Sequence, residues 1–456
     1  MRAAIILAAG QGTRMKSARP KVLHEVLGRP MVQWVVDAAR TAGASPIVVV
    51  VGYGASAVRD AFDGQDDVIF ALQEQQLGTG DALACGLAAL PAEVDSLFVL
   101  CGDVPLIPAE ELQALVAAQR DCALSVLSFT SQPPHGYGRM LRQEGKLCAI
   151  IEAKDASAEQ LSISECNSGT YCFDAGFLRN SIGSLDTNNA QGEFYLTDLV
   201  AIAHASGAGA AAVIAGDAAR LAGANDRSDL AALNKRAQAL VNEALMRSGV
   251  TMEDPGSTWV DATVSVAPET IIAPGVRLSG STQIGAACRI GQGSVIGDSI
   301  VGDGVVVHPY SVFESAQVEA GCSVGPFARL RPQAYLETGA KVGNFVEVKK
   351  ARFGAGAKAN HLAYIGDAEI GAGANIGAGT ITCNYDGANK HLTQIGEGSF
   401  VGSNSTLVAP VKIGAGAFVG AGSVVTREVP EGALGVGRAK QRNIEGWVER
   451  AAPKKG

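Results

Sequence analysis

Residues 283–297 read QIGAACRIGQGSVIG. Within them Ile284-Gly285, Ile290-Gly291 and Ile296-Gly297 stand six residues apart. The same interval separates Ile370-Gly371 from Ile376-Gly377, Ile395-Gly396 from Val401-Gly402, and Ile413-Gly414 from Val419-Gly420. A strand on a half-buried sheet would alternate apolar and polar residues instead. A six-residue clock is the mark of a parallel β-helix, in which every sixth side chain is an aliphatic knob pointing inward. The small residue beside each knob lets the chain turn a tight corner. The repeat runs from Ile284 to Val425. Its clock breaks between Val301 and Val324, between Val342 and Ile365, and between Ile376 and Ile395. Interruptions of a solenoid map to loops on one face, often the binding face. The last two hold Lys349, His361, Asn384 and Tyr385, which makes them the first place to look for chemistry.

A chain of 456 residues exceeds one ordinary domain, and two or three are expected. Its 56 glycines concentrate in the repeat, where they signal corners and not disorder. A formal charge of −8 with no long Lys/Arg cluster argues against broad nucleic-acid binding. Lys454-Lys455 reads as a solvated end. The apolar run Ala3–Ala9 is too short to span a membrane and lacks a signal-cleavage pattern, so it reads as a buried strand. Nine cysteines without a C-x-x-C pair suggest reduced thiols in a cytoplasmic protein and argue against structural zinc.

Before the repeat, residues 1–225 alternate short apolar runs with helical patterns. Ala3–Leu7, Ile47–Val51, Val68–Leu72 and Leu97–Leu100 read as strands; Met31–Ala42, Ala55–Phe62, Asp81–Leu90 and Ala109–Gln119 read as helices. That alternation implies a Rossmann-like α/β domain around a mostly parallel sheet. Ligands of such sheets bind beyond the carboxyl ends of the strands, so the loops after Leu7, Leu72 and Leu100 should meet at one cleft. The first loop is Leu7-Ala8-Ala9-Gly10-Gln11-Gly12-Thr13-Arg14-Met15, followed by Pro20-Lys21. Glycines after a strand let backbone N–H groups approach phosphate, and Arg14 and Lys21 add the cations. No G-K-[ST] closes the loop and the third Gly of G-x-G-x-x-G is missing, so taken alone it also reads as a tight strand–helix turn. Asp103 follows a strand end, and a lone carboxylate there suits Mg²⁺. Residues 226–248 carry Leu230, Leu233, Ala237, Leu240 and Ala244 at helical spacing and read as an amphipathic linker helix. The repeat domain then occupies 249–456.

The first loop resembles the signature of the sugar-nucleotide pyrophosphorylases. The pattern continues at Gln73, Gly78-Thr79-Gly80, Gly102-Asp103-Val104-Pro105-Leu106, Gly136-Tyr137-Gly138-Arg139, Glu152-Ala153-Lys154, Asn167-Ser168-Gly169 and Glu193-Phe194-Tyr195-Leu196-Thr197-Asp198. With the repeat added, residues 1–450 resemble a family of bifunctional bacterial enzymes. These join an N-acetylglucosamine-1-phosphate uridyltransferase to a glucosamine-1-phosphate N-acetyltransferase built on a left-handed parallel β-helix. The resemblance implies UTP and N-acetylglucosamine 1-phosphate as substrates of the first half. Leu7, Ala8, Ala9, Gly10, Lys21, Cys101, Gly102 and Asp103 would line the nucleotide site. Uracil would lie against Gln73, Gly78 and Thr79, and Gly138, Glu152 and Asn167 would hold the acetamido sugar. Arg14 and Lys21 would offset charge on the leaving pyrophosphate. Mg²⁺ would be held by Asp103 and Asn225. Asn225 and Asp226 also precede a helical pattern and so double as helix caps; Glu152 also reads as an ordinary surface charge.

For the second half the resemblance implies acetyl-CoA as donor and His361 as general base. An imidazole with a reference pKa of about 6.5 suits that task near neutrality. Glu347 would orient its ring. Arg331, Lys349, Tyr364 and Asn375 would hold glucosamine 1-phosphate. Ala378, Asn384, Tyr385, Ser403, Ala421 and Arg438 would line the acetyl-CoA site, with Ser403 stabilising the oxyanion; Arg438 alone would read as a solvated charge. His24, His135, His204, His308 and His391 lack a supporting constellation. Enzymes of this kind are trimers, and a three-sided prism offers faces for ring-closing contact. The product, UDP-N-acetylglucosamine, would feed peptidoglycan and lipopolysaccharide precursors. The competing reading is a single-function pyrophosphorylase whose β-helix serves only oligomerisation. Against it stands the set Lys349, His361, Asn384 and Tyr385, which a passive helix has no reason to carry. A nucleic-acid or protein scaffold is disfavoured by the acidic balance.

Overall fold

The computed structural model describes residues 1–131 and 136–451. His135 and Lys454-Lys455 lie outside the described residues. The chain forms two compact units, Met1–Gln238 and Ala239–Gly456.

The first unit is built on a sheet whose strands run in the order Ala210–Ile214, Leu124–Thr130, Glu165–Asp174, Ser96–Cys101, Arg2–Ala8, Ile47–Val51, Val68–Leu72. Glu165–Asp174 is antiparallel to both neighbours and the other pairings along this path are parallel. Period-two alternation sends Ala3 and Ile5 into one core and Ala4 and Ile6 into another, so helices cover both faces. Helices Met31–Thr41, Thr79–Ala88 and Ala109–Gln119 sit where the helical patterns predict them. The hairpin Arg139–Gln143 with Lys146–Ile151 attaches to Glu165–Asp174 and brings Gly138 beside Asn167.

Helix Arg227–Arg247 follows. Leu233 and Ala237 are buried, Leu230 and Leu240 half-buried, and Ala244 is exposed, so past Leu240 the apolar face runs through Val241 and Leu245 and not through Ala244. Two buried amides share it, Gln238 and Asn242. Asn242 Nδ2 donates to the carbonyls of Pro255 and Thr258, both at 2.9 Å.

The second unit is the left-handed parallel β-helix that the clock and the family resemblance imply. Most coils advance 18 residues, as from Leu278 to Ile296, or 17, as from Ile296 to Phe313. Adjacent coils lie one strand spacing apart, about 4.8 Å. Two of the three sequence gaps are not gaps. Val307, Phe313 and Val318 fill the first and Val348, Phe353 and Ala359 the second, all buried on regular coils. Lys349 and His361 therefore lie on strands Glu347–Phe353 and Lys358–His361, not on loops. An inward site demands an apolar side chain, whereas the corner glycine is obligatory only where the next coil crosses closely. Gly377 is such a place: a Cβ there would meet Ser403 N at 2.6 Å. The third gap is real. Between Ile376 and its partner Val401 the step grows to 25 residues, and Asn384–Leu392 leaves the coil as a loop. Asp386 builds that loop by accepting from Ala388 N at 2.8 Å and Asn389 N at 2.7 Å.

Candidate active sites

In the first unit the strand Arg2–Ala8 ends at the loop Ala9–Gly12, and the loops after Leu7, Leu72 and Leu100 do converge. Leu7, Ala8, Ala9, Gly10, Lys21, Gln73, Gly78, Thr79, Cys101 and Asp103 line one cavity of about 260 Å³. Gly10 faces open space. Gly12 has φ +64°, and a Cβ on it would meet Lys21 Cβ at 2.6 Å. That glycine lets the lysine stem pass, and Lys21 Nζ reaches Asp103 Oδ2 at 2.5 Å. Gly102 N donates to Leu7 O at 2.9 Å, tying the two strand ends together.

Gln73 is buried and its Nε2 donates to Gly78 O at 3.1 Å and Asp81 Oδ2 at 2.7 Å. Thr79 Oγ1 accepts from Leu196 N at 3.1 Å, and Gly80 N donates to Phe194 O at 2.8 Å. The Glu193–Asp198 motif thus clamps the Gly78-Thr79 loop. On the other side of the cleft, Asn167 Nδ2 donates to Tyr171 Oη at 2.7 Å and its Oδ1 accepts from Gly169 N at 2.9 Å. Glu152 accepts from Thr197 Oγ1 at 3.2 Å, and burial pushes its carboxyl above the usual range. It is not the plain surface charge that the sequence also allowed. Burial likewise pushes the Cys101 thiol up to about 12, so at neutral pH it is a protonated group packed against Gly169 O at 3.5 Å.

Asn225 and Asp226 divide the two roles left open for them. Asp226 Oδ1 caps the helix, accepting from Ser228 N at 2.8 Å and Asp229 N at 3.0 Å. Asn225 Oδ1 instead accepts from Arg14 Nη2 at 2.9 Å. Ala224 N donates to Asp103 O at 3.2 Å, and a Cβ on Gly223 would lie 3.1 Å from Asp103 Oδ2. Asp103 and the Gly223–Asn225 segment are therefore neighbours. Gly223 was not singled out from the sequence, and Gly12 was read only as a loop glycine that lets the backbone approach phosphate; the importance of both is a matter of clearance. The donor set fits Mg²⁺: one carboxylate and one amide oxygen, each attracting a cation in the form of Lys21 or Arg14. Such a hard ion takes few protein oxygens and completes its shell with water or phosphate. Among the described residues no group of three or more His, Cys, Asp or Glu side chains could hold a metal.

In the second unit His361 stands on a prism corner. Asn344 and His361 are paired in register on adjacent coils. Ala378, Ser403 and Ala421 follow at the same corner, each two residues past the inward residues Ile376, Val401 and Val419 of successive coils. The Arg438 stem comes within 4.0 Å of where a Cβ on Gly422 would lie, at the far end of this column. Across the corner turn lie Glu347 and Tyr364, also in register, with Arg331 and Lys349. Asn375 occupies the flank on the His361 side, paired with Lys358.

The expected partnership of Glu347 with the His361 ring is not what forms. Glu347 Oε1 accepts from Arg331 Nη1 at 2.8 Å. The ring Nδ1 lies 2.6 Å from Asn344 Oδ1 instead. The reason is the corner, which sends Glu347 onto a different face from His361. Arg331 keeps a buried Nε without a partner. Lys390, and after it Arg331, hold the Lys349 ammonium below its usual range. Three cations thus converge on this face, as a phosphate dianion requires. Lys390 was not singled out from the sequence; it is returned to the wall by the 384–392 loop. His391, thought to lack a constellation, pairs with Asp386 at 2.7 Å in that loop. His308 Nε2 lies 3.1 Å from Ser323 Oγ. Asn384 is buried and donates to Asp367 Oδ2 at 2.5 Å, while Tyr385 is exposed.

Among the described residues, no helix is long and apolar enough to cross a membrane. The family described as the MobA-like NTP transferase domain matches residues 4–161. The bacterial transferase hexapeptide family (six repeats) matches residues 392–427. Whole-length relatives share half of the sequence. The bifunctional protein GlmU of Pelobacter propionicus is 50% identical over 455 residues, covering 99% of either chain. GlmU of Sorangium cellulosum is 50% identical over 456 residues, with 98% of this chain and 96% of that one covered. GlmU of Anaeromyxobacter dehalogenans strain 2CP-1 is 51% identical over 459 residues, with 99% and 94% covered. Likeness of this order, unbroken across the nucleotide-binding sheet and the coiled prism alike, means that the chain belongs to the bifunctional GlmU family.

Proposed function

We propose that the two clusters described above are separate reaction centres, the cleft of the first unit for uridyl transfer and the prism corner of the second for acetyl transfer. As a member of its family the chain is a bifunctional transferase of UDP-N-acetylglucosamine synthesis. It acetylates glucosamine 1-phosphate from acetyl-CoA, then transfers uridylate from UTP to N-acetylglucosamine 1-phosphate in a Mg²⁺-dependent reaction. The functional division proposed is 1–225 for uridyl transfer, 226–248 as linker and 249–456 for acetyl transfer.

In the cleft, a phosphate oxygen of the sugar phosphate attacks the α-phosphorus of UTP in line. The bond to the β-phosphate oxygen breaks and pyrophosphate leaves. The protein's part is positioning and charge neutralisation. Gln73 and the Gly78-Thr79 loop hold the uracil, Gly138, Glu152 and Asn167 face the acetamido sugar, and Lys21 and Arg14 turn onto the phosphates. Mg²⁺ held by Asp103 and Asn225 would neutralise charge between the reacting phosphates.

At the corner, the amine of glucosamine 1-phosphate attacks the thioester carbonyl while His361 takes its proton; the C–S bond then breaks and coenzyme A leaves. Arg331, Lys349 and Lys390 hold the sugar phosphate, with Tyr364 and Asn375 beside it. Ala378, Ser403 and Ala421 line the donor's path, Ser403 facing the oxyanion, and Asn384, Tyr385 and Arg438 complete the donor site. The observation carrying this half is the single column Asn344, His361, Ala378, Ser403, Ala421. It sets the base and the small residues on successive coils, and a passive β-helix has no use for it. A homotrimer through the prism is supported by the exposed corner ridge Tyr310, Phe327 and Phe345, whose rings stack at 5.3 and 5.4 Å. Nine free cysteines support a reducing, cytoplasmic setting.

The test is a crossed pair of variants. Asp103→Ala should abolish uridyl transfer and spare acetyl transfer. His361→Ala should lower acetyl transfer by about 10²–10⁴ and spare uridyl transfer. Equal loss of both activities in either folded variant would defeat the two-centre reading.

A further inference from the structure

A general base must offer an unprotonated nitrogen, and imidazole has two candidates. Which one carries the proton is set by the hydrogen bond the other makes. In this chain that bond goes to Asn344, an uncharged amide 17 residues upstream that lies one coil away. The register holds the two together: Asn344 and His361 are strand partners, and Leu362 N donates to Asn344 O at 3.0 Å. Both line a groove of about 270 Å³ with Lys341, the one other charged or ionisable side chain among its described lining residues. Lys358 stands on His361's own strand, and Arg331, Glu347 and Lys349 stand across the corner. Asp367, the carboxylate closest to His361 along the chain, is buried and accepts from Asn384, and Glu347 is held by Arg331.

We propose that Asn344 is the positioning residue of the acetyl-transfer site. Its Oδ1 accepts the Nδ1 proton of His361 and so leaves Nε2 as the nitrogen that takes the proton from the amine. This rests on His361 being the base. An amide fixes the tautomer without placing a negative charge beside the imidazolium formed during reaction. A carboxylate at the same place would instead favour the charged ring.

The experiment is a tautomer measurement with a kinetic companion. Full-length protein labelled with ¹⁵N-histidine, with His361 assigned by loss of its signals in His361→Gln, should show His361 protonated at Nδ1. In Asn344→Leu the proton should move to Nε2, and the acetyl-transfer kcat should fall about 10–100-fold, with KM for both substrates and uridyl transfer unchanged. Asn344→Asp should recover the Nδ1–H tautomer and most of the rate, and should move the acid limb of the pH–rate profile upward. If Asn344→Leu fails to fold, the tautomer of the parent protein carries the test, since the inference requires His361 protonated at Nδ1 there. An Nε2–H tautomer in the parent protein, or an Asn344→Leu enzyme with unchanged tautomer and kcat, overturns the inference. Acetyl transfer surviving in His361→Ala would instead remove the base assignment, whatever the tautomer.

Discussion

Gly12→Ala adds one methyl group and should separate the two activities. Gly12 has φ +64° and ψ +43°, and the new Cβ would lie 2.6, 3.2 and 3.3 Å from Lys21 Cβ, Cγ and Cδ. A left-handed backbone costs a non-glycine residue about 1–2 kcal/mol. That is well within the roughly 5–15 kcal/mol by which a domain is stable, so the first unit should still fold. The contact must be relieved by moving the flexible lysine stem. Lys21 Nζ then loses its place beside Asp103 Oδ2, now 2.5 Å away. A hydrogen bond to a charged group is worth about 1.5–3 kcal/mol, which at about 1.4 kcal/mol per decade corresponds to a 10–150-fold slower uridyl transfer. The assay is pyrophosphate release from UTP and N-acetylglucosamine 1-phosphate. Coenzyme A release from acetyl-CoA and glucosamine 1-phosphate in the same preparation serves as control. A Gly12→Ala enzyme with undiminished uridyl transfer would refute the argument that this glycine exists to place Lys21.

Glu152 makes a pH-dependent prediction. Burial raises its folded-state pKa above the unfolded value, so its contribution is favourable below about pH 4.3 and is lost as pH rises through the folded pKa. Glu152→Gln should therefore raise the melting temperature at pH 7.5, and the gain should vanish near pH 4; a gain equal at both pH values would contradict the burial account. Lys390→Ala should raise KM for glucosamine 1-phosphate, make acetylation less sensitive to salt, and let the Lys349 ammonium titrate higher, read by ¹⁵N-lysine NMR; an unchanged KM would exclude Lys390 from the phosphate site.

Much of the fold was legible because its signals are local. The apolar run Ala3–Ala9 and the alternation that follows it report a buried parallel sheet, since each strand and helix writes its own period into consecutive residues. The clock from Ile284 to Val425 works the same way. It misled at Phe313, Phe353 and Ala359, where the inward site is filled by a residue the Ile/Val–Gly pattern does not count. The apparent gaps around Lys349 and His361 followed from that, and the expectation of loops there was wrong. The insertion at Asn384–Leu392 was detectable because it truly adds residues to one coil.

By itself the sequence settled the two architectures, their order, and the residue types gathered for phosphate and thioester chemistry. Tertiary structure alone decided who touches whom. Coils of 17 and 18 residues are interspersed, so neighbours across coils drift in linear spacing, and only the realised register brings Asn344 to His361 and sends Glu347 to Arg331. The same holds for Lys390 beside Lys349 and for the clearance that Gly12 and Gly223 leave around Lys21 and Asp103. Periodicity is a property of the chain; contact between distant segments, and the space a missing methyl leaves open, arise only once the chain has folded.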